Sequence, residues 1–515
     1  MTSSGSPSVF AEFLVKTEER RSFLIALALV AVARAQAAFS FTYSVDDYRV
    51  FIQGFQWVAP RVFEEGRYGT YWLSKAFDVI GYDPMRAPLI AVVASVFLSV
   101  WGANAILRLW SNEQPDLIRA LLLVVIAAHP YTSEITTFRN ISIYHVLAFA
   151  LGAAAILVSR ATPARLVGSV LIFALSLTFY QVPLNYISIF ILFDFALRAL
   201  RRLIDKDDTP EAYSLQDRAF YARLVTFAGG FVLYFICLKI ANYGLPPHPF
   251  SIPISLWEVP ERLRTWGVKL LVGHFLTGLA YDHALVPKAI LIIPLIMIGV
   301  TVLELWRRPV SLQGSAIASA IVLVTPALAG LAMLGIPLFF TVVWLPSRVM
   351  ASIGLVWAGV AVVALLVRDF IPKQAYVFVL GLVVFSFIAQ DNQIFIDQLR
   401  VGVRDHNLAV RIVSRLEALP NYADMKTVAG IGRRSDEGAT IPTSTHGFND
   451  SNFEYQWAVS PMLTELTGIP LRSPYQPEID AGQAYCKAHA QWPAPESVVI
   501  HGELAIVCLS PTPVY

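Results

Sequence analysis

The chain reads as an all-α polytopic membrane protein: a bundle of about eleven transmembrane helices followed by a small α/β domain. Three observations lead there. Of its 515 residues, 56% are hydrophobic and only 15% are charged, against about 25% charged in an average soluble domain. Apolar runs recur through residues 1–391, most of them close to the ~20 residues that a helix needs to cross a hydrocarbon core. From 392 to 515 those runs stop and a polar stretch begins, long enough to fold as a small domain.

The expected spans lie near 22–41, 86–109, 116–130, 141–159, 165–180, 183–200, 221–243, 286–306, 314–335, 347–367 and 374–391. The third, fifth and sixth are short, which suits a tilted, broken or re-entrant segment. No small-residue cleavage site follows the first run, so it reads as a retained helix. Orientation comes from the basic residues. Lys16, Arg20 and Arg21 precede the first span, and Arg108 and Arg119 flank the turn after the second. Arg160 and Arg165 flank a later turn, and Arg198, Arg201, Arg202, Arg218 and Arg223 bound the loop near 201–220. Arg307, Arg308, Arg368 and Lys373 close the series. All share one side if the N-terminus is cytoplasmic, which sends segments 42–85, 129–140, 244–285 and the tail 392–515 to the other.

Those outer segments carry most of the remaining information. Residues 68–80 (YGTYWLSKAFDVI) place apolar groups at helical spacing and predict an interfacial amphipathic helix. Segment 244–285 holds Pro246, Pro247 and Pro249, then Trp257, Trp266 and Lys269, a composition suited to the headgroup layer. In the tail, Lys426 to Gly432 predicts a strand ending in a turn, and 497–509 a hairpin turning at His501–Gly502. Of the three cysteines, Cys237 sits in an apolar run. Cys486 and Cys508 sit in the tail, where an oxidising compartment favours a disulfide; two unpaired thiols is the alternative. The formal net charge of +2 gives no sign of nucleic-acid binding. No cofactor is evident. His274, Asp282 and His283 lack metal-ligand spacing, so a divalent metal has no support in the sequence.

The strongest chemical signal is Asp46–Asp47, emerging just after the first span and followed by Arg49. Ionisable groups at such a boundary are costly unless used or paired. Adjacent carboxylates repel, which raises one pKa and suits a general base. A solvated loop start or a helix N-cap fits the same residues. Arg67, after Glu64-Glu65-Gly66, can bind phosphate bidentately or pair with a neighbouring glutamate. Glu134 and Arg139, with His129, lie in the polar run 129–140, which is either a cavity lining or a short exposed turn. Tyr180, Gln181, Pro183 and Asn185 interrupt an apolar stretch, as a substrate path or as a plain turn. Arg348 stands on the outer side against the charge bias, facing a lipid phosphate or ordinary headgroups. Arg34 lies within the first span and needs a cavity, a partner or the interface.

The Asp46-Asp47-Tyr48-Arg49 run after a first helix, followed by Gly66-Arg67, resembles the Gtr type II family of bacterial O-antigen glucosyltransferases, within the GT-C superfamily. Tyr180-Gln181 resembles that family's Tyr-Gln at a helix break, and Pro346 with Arg348 its Pro-Arg element, although Ser347 intervenes here. The resemblance implies a multi-pass protein of the bacterial inner membrane with its C-terminal domain in the periplasm. It implies transfer of glucose from a polyprenyl-phosphate-sugar lipid to a surface glycan such as the O-antigen of lipopolysaccharide. Asp46 or Asp47 would act as base, with Arg49, Arg67, Glu134, Arg139, Tyr180, Gln181 and Arg348 binding substrate. Other GT-C transferases share an acidic pair in this loop, so a protein or lipid A acceptor is an alternative. A transporter of lipid-linked sugar should carry charges deep in several helices and paired repeats; no repeat is visible.

Overall fold

The computed structural model describes residues 13–39, 43–110, 114–204, 217–243, 254–267, 292–308, 311–335, 347–432 and 451–509. The first span is α1 (Arg20–Phe39). The outer segment then folds as three helices: α2 (Val45–Gln53), α3 (Phe55–Glu64) and α4 (Tyr68–Ile80). On α4, Trp72, Val79 and Ile80 are exposed, as expected of a helix lying at an interface. The bundle continues with α5 (Pro88–Trp110), α6 (Asp116–Ala127), α7 (Pro130–Thr137), α8 (Arg139–Val158), α9 (Pro163–Phe179), α10 (Pro183–Ile204) and α11 (Arg218–Ala241). It closes with α12 (Ile293–Arg307), α13 (Leu312–Leu334), α14 (Ile353–Val367) and α15 (Lys373–Glu417).

A helix occupies each of the eleven expected positions, but not every one is a span by itself. Among the described residues six helices are long and apolar enough to cross a membrane, or seven if the bent pair α6–α7 counts as one. Apolar side chains such as Leu24, Phe97, Leu171, Phe235 and Phe385 point outward around the bundle. A helix bundle that is apolar outside as well as inside belongs in lipid.

Two expectations need correction. Segment 129–140 is not an exposed turn. It contains α7, every residue of which is buried, set at 51° to α6. Pro130 forces the break, because it lacks an N–H and its ring clashes with the carbonyl four residues back. His129 Nδ1 caps the new helix by accepting from the Tyr131 N–H. The carbonyl of Ala127, left without its helical partner, accepts from Arg34 Nη2 at 2.5 Å, which also donates to Thr132 Oγ1 at 2.9 Å. Arg34 thus closes a proline break inside the bundle. The last helix likewise runs well past 391, to Glu417. Beyond Asp391 its buried face continues through Ile394, Phe395, Leu408, Ile412 and Leu416, while Arg400, Arg404 and Arg411 take the remaining faces. Hydropathy falls there, but helical periodicity does not.

In the tail, β1 (Thr427–Ile431) pairs in parallel with β3 (Leu504–Cys508), and β2 (Val498–His501) pairs antiparallel with β3. Helices α16 (Gln456–Thr467) and α17 (Gln476–Ala488) complete it. The predicted strand and hairpin are both present. The Cys486–Cys508 disulfide ties α17 to the central strand. The core joins Leu408 and Ile412 of α15 to Val428, Phe453, Met462 and Val507. Tyr48 of α2 belongs to that core and Tyr43 packs on it, so the C-terminal domain forms a wall behind the acidic pair.

Candidate functional site

The structure separates the two adjacent aspartates. Ser44 is the N-cap of α2 and forms a capping box with Asp47: the Asp47 N–H donates to Ser44 Oγ, and the Ser44 N–H donates to Asp47 Oδ2. Asp47 is fully buried, and it also caps a second helix. Its Oδ2 accepts from the Arg139 N–H at 3.1 Å and its Oδ1 from the Asn140 N–H at 3.0 Å, at the first turn of α8. A carboxylate suits the positive end of a helix dipole. Burial pushes the Asp47 carboxyl up to about 6, while the amides of Asn140, Ser44 and Arg139 pull it down. Asp46 is half-buried, and among the described side chains none hydrogen-bonds it. Its charge acts on Arg348.

Arg348 sits in the short helical turn Ser347–Met350, and three residues from distant parts of the chain hold that turn. Glu134 of α7, fully buried, accepts from both its main-chain N–H and its guanidinium. The guanidinium lies 4.6 Å from the centre of the Phe138 ring. Asn185 of α10 donates to the carbonyl of the next residue, Val349, at 3.1 Å, and to Met333 O at 2.9 Å. His145 of α8 packs its ring against that of Tyr180, with centroids 4.8 Å apart.

Arg67 is placed by its glycine. Gly66 has φ +77°, and a Cβ there would come within 2.5 Å of the Tyr234 hydroxyl, so only glycine turns the chain this tightly. Arg67 pairs with Glu65 at 3.2 Å and lies 4.5 Å over the Tyr180 ring. Its buried Nε has no hydrogen-bond partner. Gln181 Nε2 donates to Glu65 O and to Tyr234 Oη, both at 2.9 Å. The Tyr180–Gln181 break between α9 and α10 thus supports the Gly66–Arg67 turn.

Asp46, Arg67, Tyr180, Gln181, Glu134 and Arg348 therefore gather at one end of the bundle, beside the C-terminal domain. Arg139 lies close by, over the Tyr43 ring at 5.0 Å. Arg49 falls on α2, but its side chain is outside the described ones, as are Pro346, Trp266 and the stretch with His274, Asp282 and His283. Among the described residues no group of three or more histidines, cysteines or acids could hold a metal ion. The sequence offered Arg67 a neighbouring glutamate, and Glu65 is that partner; it passed over His145, for which a lone histidine in the apolar run 141–159 was the available signal.

An apolar helical bundle that gathers carboxylates and two arginines at one end defines a membrane protein with a buried polar cluster at that end. The profile of the Glucosyl transferase GtrII family matches residues 36–365, which include every site residue named above. The chain belongs to that family, and membership indicates a glucosyltransferase, with a sugar donor and an acceptor as its substrates. No curated protein and no solved structure matches the chain.

Proposed function

We propose that the protein transfers glucose from a polyprenyl-phosphate donor to a glycan on the outer face of the bacterial inner membrane, such as O-antigen. The observation that carries this reading is the division of labour in the acidic pair. Asp47 is committed to two helix N-termini, so the base role falls to Asp46, which is half-buried and within electrostatic reach of Arg348. A base must reach the acceptor hydroxyl. The proton moves from that hydroxyl to an Asp46 oxygen as the acceptor oxygen bonds to the anomeric carbon. The bond from that carbon to the phosphate oxygen breaks, and the phosphate leaves with the electron pair. Arg67 and Arg348 hold it, and fixed cations act most where charge develops. Each is already paired with one glutamate, which fixes where its guanidinium sits. Direct displacement inverts the donor carbon. Asp47, Glu134 and Gln181 position the helices and arginines, and the domain after the last span supports α2 on the periplasmic side.

The test is the structure of the surface polysaccharide from a deletion strain carrying wild type, Asp46→Asn or Asp47→Asn. Loss of one side-branch glucose, restored by wild type and not by Asp46→Asn, supports the reading and names the linkage. An unchanged glycan removes the O-antigen acceptor.

One observation favours a second reading. Asp391 is fully buried within α15, near Arg34 and Ser133. Charges at such depth suit transport of a lipid-linked sugar. Purified protein in detergent has no compartments to transport between, so glucose transfer there requires the enzyme and its absence favours the transporter.

A further inference from the structure

Asn185 lies in the first turn of α10 and is buried. Its amide anchors two distant stretches of backbone. Nδ2 donates to Met333 O at 2.9 Å, in the last turn of α13, and to Val349 O at 3.1 Å, in the turn that carries Arg348. Met333 O is one of the end carbonyls that a helix cannot satisfy by itself. Residue 335, just past α13, is a glycine with φ +49°, and a Cβ there would overlap the Asn185 carboxamide. The backbone angle and the space both call for glycine. The turn leading into α10 reaches the other arginine. Its Gln181 donates to Glu65 O at 2.9 Å, and Glu65 pairs with Arg67. The turn is itself closed, with the Leu184 N–H donating to Gln181 O at 3.1 Å and the Asn185 N–H to Val182 O at 2.9 Å. Residues 181–185 therefore hold the Arg67 turn at one end and the Arg348 turn at the other, each through a side-chain amide.

We infer that Asn185 is a positioning residue for the donor phosphate: it ties the Arg348 turn to the end of α13 and to the 181–185 turn, and Gly335 leaves the space its carboxamide fills. The inference rests on the reading that Arg67 and Arg348 hold that phosphate. A displaced binding group loses rate steeply. Asn185 is uncharged and acts through main-chain carbonyls, so its loss leaves both guanidiniums in the protein and frees the turn that carries one of them. Asn185→Asp keeps the shape and turns an acceptor toward two carbonyls. Asn185→Ser keeps one donor on a shorter side chain.

The full-length protein in detergent is assayed with glucosyl polyprenyl phosphate while donor and acceptor are varied separately. With Asn185→Ala the donor kcat/KM falls about tenfold to a hundredfold, on the order of the loss from a misplaced binding group. The donor KM carries that fall, and the acceptor KM is unchanged. Asn185→Asp does no better, and Asn185→Ser recovers part of the loss. Gly335→Ala also raises the donor KM, and it does so less in the Asn185→Ala background, because groups in contact do not add. A role in packing alone would lower the folded fraction and leave both KM values of the folded protein at wild type. That result, equal rises in both KM values, or the same effect of Gly335→Ala in both backgrounds overturns the inference. If the alanine and aspartate variants do not fold, Asn185→Ser and Gly335→Ala carry the test. Arg348→Ala runs in parallel. If it leaves the donor KM unchanged, the phosphate reading fails; if it raises the donor KM while no Asn185 variant does, only the inference fails.

Discussion

At the end of the bundle away from the C-terminal domain, buried arginines and carboxylates close on one another. Arg198 donates to Asp194 at 3.1 Å and to Asp217 at 3.2 Å, and Arg223 donates to Asp194 at 3.0 Å. Glu19 accepts from Arg108, Arg119 and Asn104. At the domain end the same ingredients are arranged differently. Asp47 gives its oxygens to main-chain amides, Asp46 takes no hydrogen bond from a described side chain, and Arg67 and Arg348 each pair with one glutamate and lie over one ring. The first arrangement locks helices together. The second leaves a carboxylate open beside two fixed cations, which is what a reaction on an anion requires.

The comparison is broken most sharply at Asp46. Asp46→Asn should lower glucose transfer by about a hundredfold to ten-thousandfold, the range of a lost general base, with the thermal unfolding midpoint in detergent unchanged. Full activity would put Asp46 in the same class as the closed pairs. Asp194→Asn should do the reverse. Removing one partner of a buried ion pair costs about 3–5 kcal/mol, so the midpoint should fall sharply while transfer per folded molecule stays near wild type. A catalytic loss exceeding the folding loss would show that the two ends are not separate.

Asp47→Asn lies between, because Asp47 supports the site through structure. Asparagine can accept from only part of the amide set and sets an NH₂ against N–H donors, so both stability and rate should fall. The pH dependence isolates the charge. Burial raises the folded-state value to about 6, so the proton binds the folded chain more tightly than the unfolded one. The stability this group adds is therefore fully present below the ordinary carboxylate value. It is lost as pH rises through about 6, by roughly 3 kcal/mol at most. The unfolding midpoint of wild type relative to Asp47→Asn should decline from pH 4 to pH 6.5 and level off above. A flat difference would mean that the amides fully offset burial.

Much of this plan could be read from the chain, and what could not has a common cause. The apolar runs located the helices, and the shortness of the third suited a broken segment, because both signals are local. The strand at Thr427 and the hairpin at 498–508 followed from alternation and turn chemistry. Asp46–Asp47 was legible as a pair. Its division was not, because Asp47 is claimed by amides of Arg139 and Asn140, more than ninety positions away. Glu134 looked like a substrate ligand, yet it holds Arg348 across 214 positions. No periodicity encodes such a contact. The length of α15 was missed for another reason: hydropathy registers lipid contact, and this helix leaves the apolar region without ending.

The smallest expected effect separates the two arginines. Arg348 is fixed by Glu134, Phe138 and Asn185, which come from distant parts of the chain, whereas Glu65 lies two positions from Arg67 and the Tyr180 ring is its platform. Lysine in place of either keeps the charge but loses the planar fork. At Arg67 the loss is mainly the stacked contact, about 0.5–2 kcal/mol at a partly covered site, so Arg67→Lys should raise the donor KM about twofold to thirtyfold. At Arg348 the fork also engages buried Glu134, and Arg348→Lys leaves part of that carboxylate unsatisfied, so its donor KM should rise further. The two KM values, measured with the same donor, decide the ranking. Equal or inverted effects would mean that the locally held arginine is the principal contact to the phosphate.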